Sequence, residues 1–170
     1  MTIRLLSGPD MKKWMFFSAL LCLTLGGCAT RHCDNQVPDS ACRADYLLYQ
    51  NDMLQAKLIV NERRQESYEL AKVLLERAAR EDKSGEAEFY QAVLLMRSDD
   101  HAPVSDLLHD SADRNYPLAI ALLAQQAGMQ DQEKAQRYRD RYDQLDVAKS
   151  GYPSFPQALI VVNRLVSERN

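Results

Sequence analysis

The sequence predicts an all-α domain, and three observations carry that prediction. Alanine, leucine, glutamine, glutamate and arginine dominate the 170-residue chain, a mix that favours helix at nearly every position. Beyond the N-terminal segment, apolar residues recur at helical spacing, and no stretch alternates at strand period for more than a few residues. Glycine is scarce, six in the whole chain, and Pro103 and Pro117 stand where they can open helices rather than interrupt them. The length suits one domain with a core of its own.

The first predicted helix runs from Ala44 to Asn61 and carries Tyr46, Leu47, Leu54, Leu58 and Ile59 on a broad apolar stripe. The second, Ser67 to Arg80, carries Leu70, Ala71, Leu74, Leu75, Ala78 and Ala79. Ala87 to Met96 repeats the pattern with Tyr90, Val93 and Leu94. Pro103 suits the first turn of a helix over Val104 to Asp113. Pro117 does the same for Leu118 to Ala127, which Gly128 is placed to stop. Gln130 to Asp146 reads as a charged helix with Tyr138, Tyr142 and Leu145 on one side. Gly151, Pro153 and Pro156 then break the chain before a last helix, Gln157 to Glu168. Connections this short favour antiparallel neighbours.

The N-terminal segment follows a different logic. Met11-Lys12-Lys13 is a short basic head, and Trp14 to Leu25 is an uncharged apolar run of twelve residues. A spanning helix needs roughly 20, so the run is too short to cross a bilayer and matches the apolar region of a secretory signal. Gly26 and Gly27 then supply small residues where cleavage would fall. "LGGC", Leu25 to Cys28, resembles the lipobox of bacterial lipoproteins. The resemblance implies that the Cys28 thiol receives a diacylglycerol, that cleavage falls before it, and that the new amino group is acylated. It divides the chain into a signal peptide at 1–27 (with Met11 as an alternative start), a lipidated tether at 28–43 and a helical domain at 44–170. Ala29, where inner-membrane retention in enteric-type bacteria uses aspartate, points to the outer membrane, facing the periplasm, rather than to the inner membrane.

Cysteine use agrees with export. Cys22 leaves with the signal and Cys28 is spoken for, so Cys33 and Cys42 remain as a pair in an oxidising compartment, where a disulfide is expected. Closing that loop would constrain the unfolded chain by roughly 2.5 kcal/mol. Cleavage removes three basic residues and one acidic, moving the formal net charge from −3 to −5. A mildly acidic chain lacks the basic footprint that nucleic-acid binding needs. Membrane attachment must come from the lipid, and several acyl chains suffice where one alone is marginal.

Internal repetition decides the architecture. "LLERAAREDKSGEAEFYQAVLL" from Leu74 aligns with "LLHDSADRNYPLAIALLAQQ" from Leu107 at an offset of 33 residues: Leu74 and Leu75 fall on Leu107 and Leu108, and Ala79 on Ala112. A one-residue gap then places Ala87 on Ala119. The pattern resembles the Sel-one-type branch of the tetratricopeptide-like repeats, in which an alanine pair closes one helix and alanine opens the next. Ser111 replaces one alanine, and the family's leucine-glycine step is missing from both copies. The resemblance implies a short α-solenoid of antiparallel helix pairs; an irregular helical bundle is the alternative. Small residues at the crossing let helices approach closely, and each pair needs its neighbours to cover its apolar face.

Chemistry-bearing patterns are sparse. His101 and His109 are eight residues apart with Pro103 between, and His32 lies in the tether, so helical metal spacing is absent. Nucleophile elbow, phosphate-cradling glycine loop and zinc signature are all missing. The chain is therefore read as a protein without catalytic residues, metal or cofactor. "EKAQRYRDRYDQ", Glu133 to Gln144, reads as a solvated face with i, i+4 ion pairs, or as a binding surface rich in tyrosine and arginine. Tyr68, Tyr116, Tyr138, Tyr142 and Arg139 are the candidate partner-binding residues, with Tyr90 assigned to the core.

These features suggest a protein-protein interaction module with a periplasmic partner. The repeat resemblance implies two uses: an immunity protein neutralising a type VI lipase effector, or a scaffold in envelope or export machinery. A structural envelope lipoprotein without a tight partner is the other class.

Overall fold

The computed structural model describes residues 40–98, 103–146, 151 and 154–167. The signal segment, Cys28, Cys33, His32 and His101 lie outside the described residues.

The described domain is all-helical, with seven α-helices. These are α1 (Ser40–Glu62), α2 (Tyr68–Ala78), α3 (Glu86–Arg97), α4 (Val104–Asp113), α5 (Pro117–Gly128), α6 (Gln132–Asp143) and α7 (Phe155–Val166), with a 3-10 turn at Gln65–Ser67 ahead of α2. Helix α1 starts ahead of the predicted Ala44, so Cys42, which is disulfide-bonded, sits in its first turn. Among the described residues, no helix is long and apolar enough to cross a membrane.

Consecutive helices pair as hairpins, α1 with α2, α3 with α4 and α5 with α6, and each hairpin packs on the next through α2–α3 and α4–α5. Helix α7 departs from the repeat. It lies against α5, α3 and α6 rather than extending the row. Helix α5 is the centre of the core: every residue from Pro117 to Ala124 is buried, as expected of a helix that is apolar all round. Leu118 and Ile120 there are fully covered, each worth about 2 to 3 kcal/mol of transfer free energy.

The small residues of the repeat sit where the hairpins cross. Ala78, Ala87, Ser111 and Ala119 are all within 1% of complete burial. A close approach is made at Gly85, whose φ is +80°. A Cβ there would lie 2.7 Å from the Ser111 carbonyl oxygen and 2.9 Å from the Ser111 Cα. Ser111 Oγ donates to the Gly85 carbonyl at 2.6 Å, binding the α4 backbone to the turn before α3. Serine at a position where the other copy has alanine thus adds a hydrogen bond without adding bulk.

Several expectations need correction. On α1 the packed side is formed by Met53, Ala56, Ile59 and Val60, whereas Tyr46, Leu47, Leu54 and Leu58 are 44–59% exposed. A stripe drawn through all the large apolar residues merged two opposite faces of one helix. Leu70 on α2 is also exposed, at 52%, beside buried Ala71, Leu74, Leu75 and Ala78. Gly128 is the last residue of α5 and does not take the left-handed conformation that stops a helix; that conformation occurs at Gly85, Gly151, Arg63 and Asn115. Asp131 starts the next helix by accepting the Lys134 amide at 2.9 Å. Pro156 lies inside the first turn of α7, where its missing N–H is harmless, and Ser154 caps that helix through the Gln157 amide.

The C-terminal ends of α1 and α7 meet at Arg97. Its guanidinium donates to the Val60 carbonyl and to the Leu165 carbonyl, and it is hydrogen-bonded to Tyr68 as well. Arg63 donates to the Arg164 carbonyl at 2.9 Å. Cations on the last carbonyls of helices satisfy orphan acceptors and suit the negative end of the dipole. Burial is the main reason that the Arg97 guanidinium is held below the usual arginine range.

Candidate protein-binding groove

A concave groove opens where the turn before α3 meets the turn before α5. It is lined by Lys57, Ser84, Glu86, Arg114, Asn115, Tyr116, Pro117, Leu145 and Asp146 and encloses about 510 Å³. Two segments 30 residues apart in sequence become its adjacent walls because the hairpins stack.

Asp82 organises the first of those turns. The residue is 6% exposed, and its carboxylate accepts from the Ala87 amide at 2.8 Å, the Ser84 amide at 2.8 Å, Ser84 Oγ at 2.7 Å and Tyr49 Oη at 3.1 Å. Burial alone would push this carboxyl up, but the four donors outweigh it and hold Asp82 below the ordinary carboxylate range. The Tyr49 phenol is pushed well above its usual 10, first by burial and then by the neighbouring Asp82 charge. Helix α1 is thereby pinned to the α2–α3 turn.

The second turn reaches across to the first. Arg114 Nη1 donates to the Asp82 carbonyl at 3.1 Å and to Glu88 Oε1 at 2.6 Å. Tyr116 Oη donates to Glu86 Oε1 at 3.2 Å, and Lys57 Nζ meets the same oxygen at 2.7 Å. The groove floor is therefore a cross-linked set of one carboxylate, one phenol and one ammonium. Glu88 is 7% exposed, and its Oε2 has no hydrogen-bond partner, leaving Arg114 as the charge that compensates it. The third hairpin repeats the device: Arg141 on α6 donates to the Ala112 carbonyl and to Asn115 Oδ1. Each turn is held by an arginine from the next segment of the stack.

The structure disperses the candidate tyrosines. Tyr116 reaches the groove through its hydroxyl, but the residue is 6% exposed and its ring packs 5.3 Å from Phe89. Tyr142 is 1% exposed, edge-on to Phe155 at 5.2 Å, and is a core residue rather than a surface anchor, because it seals the α6–α7 contact. Tyr90, at 4%, is buried too. Tyr68 is half-buried against Arg97, at the far end of α3 from the groove. Tyr138 is half-buried on α6, its hydroxyl 3.4 Å from His109 Nε2, and burial raises its phenol. Arg139 is exposed, with its guanidinium 4.9 Å over the Phe155 ring.

Lys57, Glu86, Arg114 and Asn115 were missed in the sequence. The usable signal was the 33-residue repeat itself, since stacking two copies must bring their turns together. Asn115, at φ +63°, marks the turn as glycine would, asparagine being among the residues that tolerate that conformation. The chain matches no family model, no curated protein and no solved structure.

Proposed function

We propose that the chain is a lipid-anchored interaction module of the bacterial envelope. Acylated Cys28 holds it at the outer membrane, facing the periplasm, and the groove between the α2–α3 and α4–α5 turns receives a protein partner. The groove is the observation that carries this reading. It is concave, mixed in charge, and lined by Arg114, a side-chain type that contributes heavily to binding when a partner seals it from water, while Tyr116 presents only its hydroxyl to the groove. Lys57, Arg114, Glu86 and Asp146 give its lining both signs of charge, which favours a partner loop of complementary charge over a bare apolar one. Immunity against a lipase effector is the sharpest form of the reading, since neutralising a toxin demands a dedicated, high-affinity site.

Two experiments test it. Metabolic labelling with palmitate should mark the native chain and not Cys28→Ala; equal labelling of both removes the anchor. Pull-down from detergent-solubilised envelopes should recover a stoichiometric partner with the native chain. Asp146→Arg, an exposed change at the groove rim, should lower that recovery about tenfold, which converts to roughly 1.4 kcal/mol. Undiminished recovery would move the site elsewhere.

A further inference from the structure

Helix α1 is apolar on two sides, and only one of them is used by the domain. Opposite the packed residues Met53, Ala56, Ile59 and Val60, the side chains of Leu47, Leu54 and Leu58 are 54%, 59% and 44% exposed. Their spacing of seven and then four is that of a heptad seam. Ala44, Asn51 and Leu58 take the first position of successive heptads, and Leu47, Leu54 and Asn61 take the fourth. The terminal helix of a stacked array ordinarily turns a polar face outward. This one does not.

We propose that the α1 seam is the contact between two copies of this chain, with α1 against α1 in parallel. Three features select that occupant. Asn51, exposed in the middle of the stripe, would meet its own counterpart in a parallel pair, and each amide could donate to the other's carbonyl oxygen. An antiparallel pair sets Asn51 against Leu54, and an apolar partner or lipid surface also leaves the amide unsatisfied. The flanking positions agree: a parallel register brings Gln50 to Gln55 of the second copy and opposes no like charges, Lys57 and Glu62 keeping their own partners Glu86 and Arg64. Parallel helices also start at the same end, so both N-terminal tethers leave in one direction.

Size sets the strength. Helix α1 has 23 residues, roughly 34 Å of length, and a seam about 10 Å wide covers roughly 350 Å² on each copy. That is below the roughly 1,200 Å² total of a standard stable complex, so the pair dissociates when dilute and forms when concentrated. Tethering to one membrane supplies such concentration, and this step, with the common direction of the two N-termini, rests on the lipid anchor proposed above.

The test uses the full chain in two arms. In envelopes, a photo-crosslinking benzoylphenylalanine at the exposed position Gln55 should give an adduct of twice the chain mass containing this chain alone. Leu54→Asp should lower its yield tenfold or more while the circular dichroism spectrum is unchanged, since Leu54 is already mostly in solvent. In solution, purified Cys28→Ala, which carries no lipid, should sediment as a monomer at micromolar and as a dimer near millimolar concentration, the dimer vanishing with Leu54→Asp. A monomer at millimolar concentration overturns the seam whatever the envelopes show, and so does an adduct with a different protein. A solution dimer without an envelope adduct upholds the seam and counts against the anchor.

Discussion

Gly85→Ala should be among the most damaging single-methyl additions in the domain, and its cost can be worked from geometry. The residue holds φ +80°, where an alanine costs about 1 to 2 kcal/mol. Its new Cβ would stand 2.7 Å and 2.9 Å from Ser111 backbone atoms, which cannot rotate away, so α4 must shift. Overpacking of that kind costs about 1 to 3 kcal/mol. Alanine also restricts the unfolded chain, which returns about 0.4 to 1 kcal/mol. The net is a loss of about 3 kcal/mol, a large part of the roughly 5 to 15 kcal/mol that holds a domain folded. Gly128→Ala is the internal control. Gly128 is helical, and a Cβ there would meet only Ala135 Cβ at an ordinary 3.8 Å, so the substitution should stabilise by about 0.5 to 1 kcal/mol. Urea unfolding followed by far-ultraviolet circular dichroism measures both. With a slope near 2 kcal/mol per molar, the Gly85→Ala midpoint should fall by about 1.5 M and the Gly128→Ala midpoint rise by a few tenths. A Gly85→Ala midpoint within about 0.3 M of the native chain would refute the claim that the turn before α3 touches the α4 backbone there.

Other outcomes follow from the polar staples. Asp82, with its pKa depressed in the fold, contributes stability that is complete above about pH 4 and lost as pH falls through its lower folded value; Tyr49, raised in the fold, contributes stability complete below pH 10 and lost as pH rises beyond it. Thermal midpoints against pH should therefore show an acid limb that Asp82→Asn flattens and an alkaline limb that Tyr49→Phe flattens, and limbs unchanged by either substitution would disprove the assignment. Arg97→Met keeps the side-chain stem but strips the Val60 and Leu165 carbonyls of their donor, which should cost about 2 to 3 kcal/mol in urea unfolding. Arg97→Lys should recover less than half of that, because one ammonium cannot span both helix ends as a guanidinium fork does.

The all-helical class and the helix order were legible because they depend on local signals. Residue preference, period and proline placement report on the nearest turn, and that is enough to find α4 to the residue and α5 to within one at each end. The small residues that the 33-residue offset aligns were legible for a similar reason. Small side chains at the crossings leave a record in the sequence, as Ala78, Ala87, Ser111 and Ala119 do, because bulk there would part the helices. The groove was not legible. Arg114 binds Asp82 and Glu88 across 32 and 26 positions, and Arg141 reaches Ala112 across 29, separations that follow no period and differ from the repeat. A surface arginine and a staple arginine look alike until the stack is built.

Helix α1 shows why an apolar residue list is a poor guide to a core. Hydrophobicity says that a side chain would gain by leaving water; it does not say what covers it. Within one domain, a helix at the edge of the stack offers the core roughly one face. On α1 that face went to the smaller set, Met53, Ala56, Ile59 and Val60, because Asp52 among them is tied to Arg77 of α2 at 2.5 Å and fixes the rotation of the helix. Turning α1 over to bury its leucines would break that pair and expose Val60, whose carbonyl the Arg97 staple needs. Leu47, Leu54 and Leu58 are thus outside the core for a reason other than weak packing, and their spacing of seven and then four is what a second helix would need. The buried side of α1 is specified by charge as much as by apolar area, and its outer side is left for association.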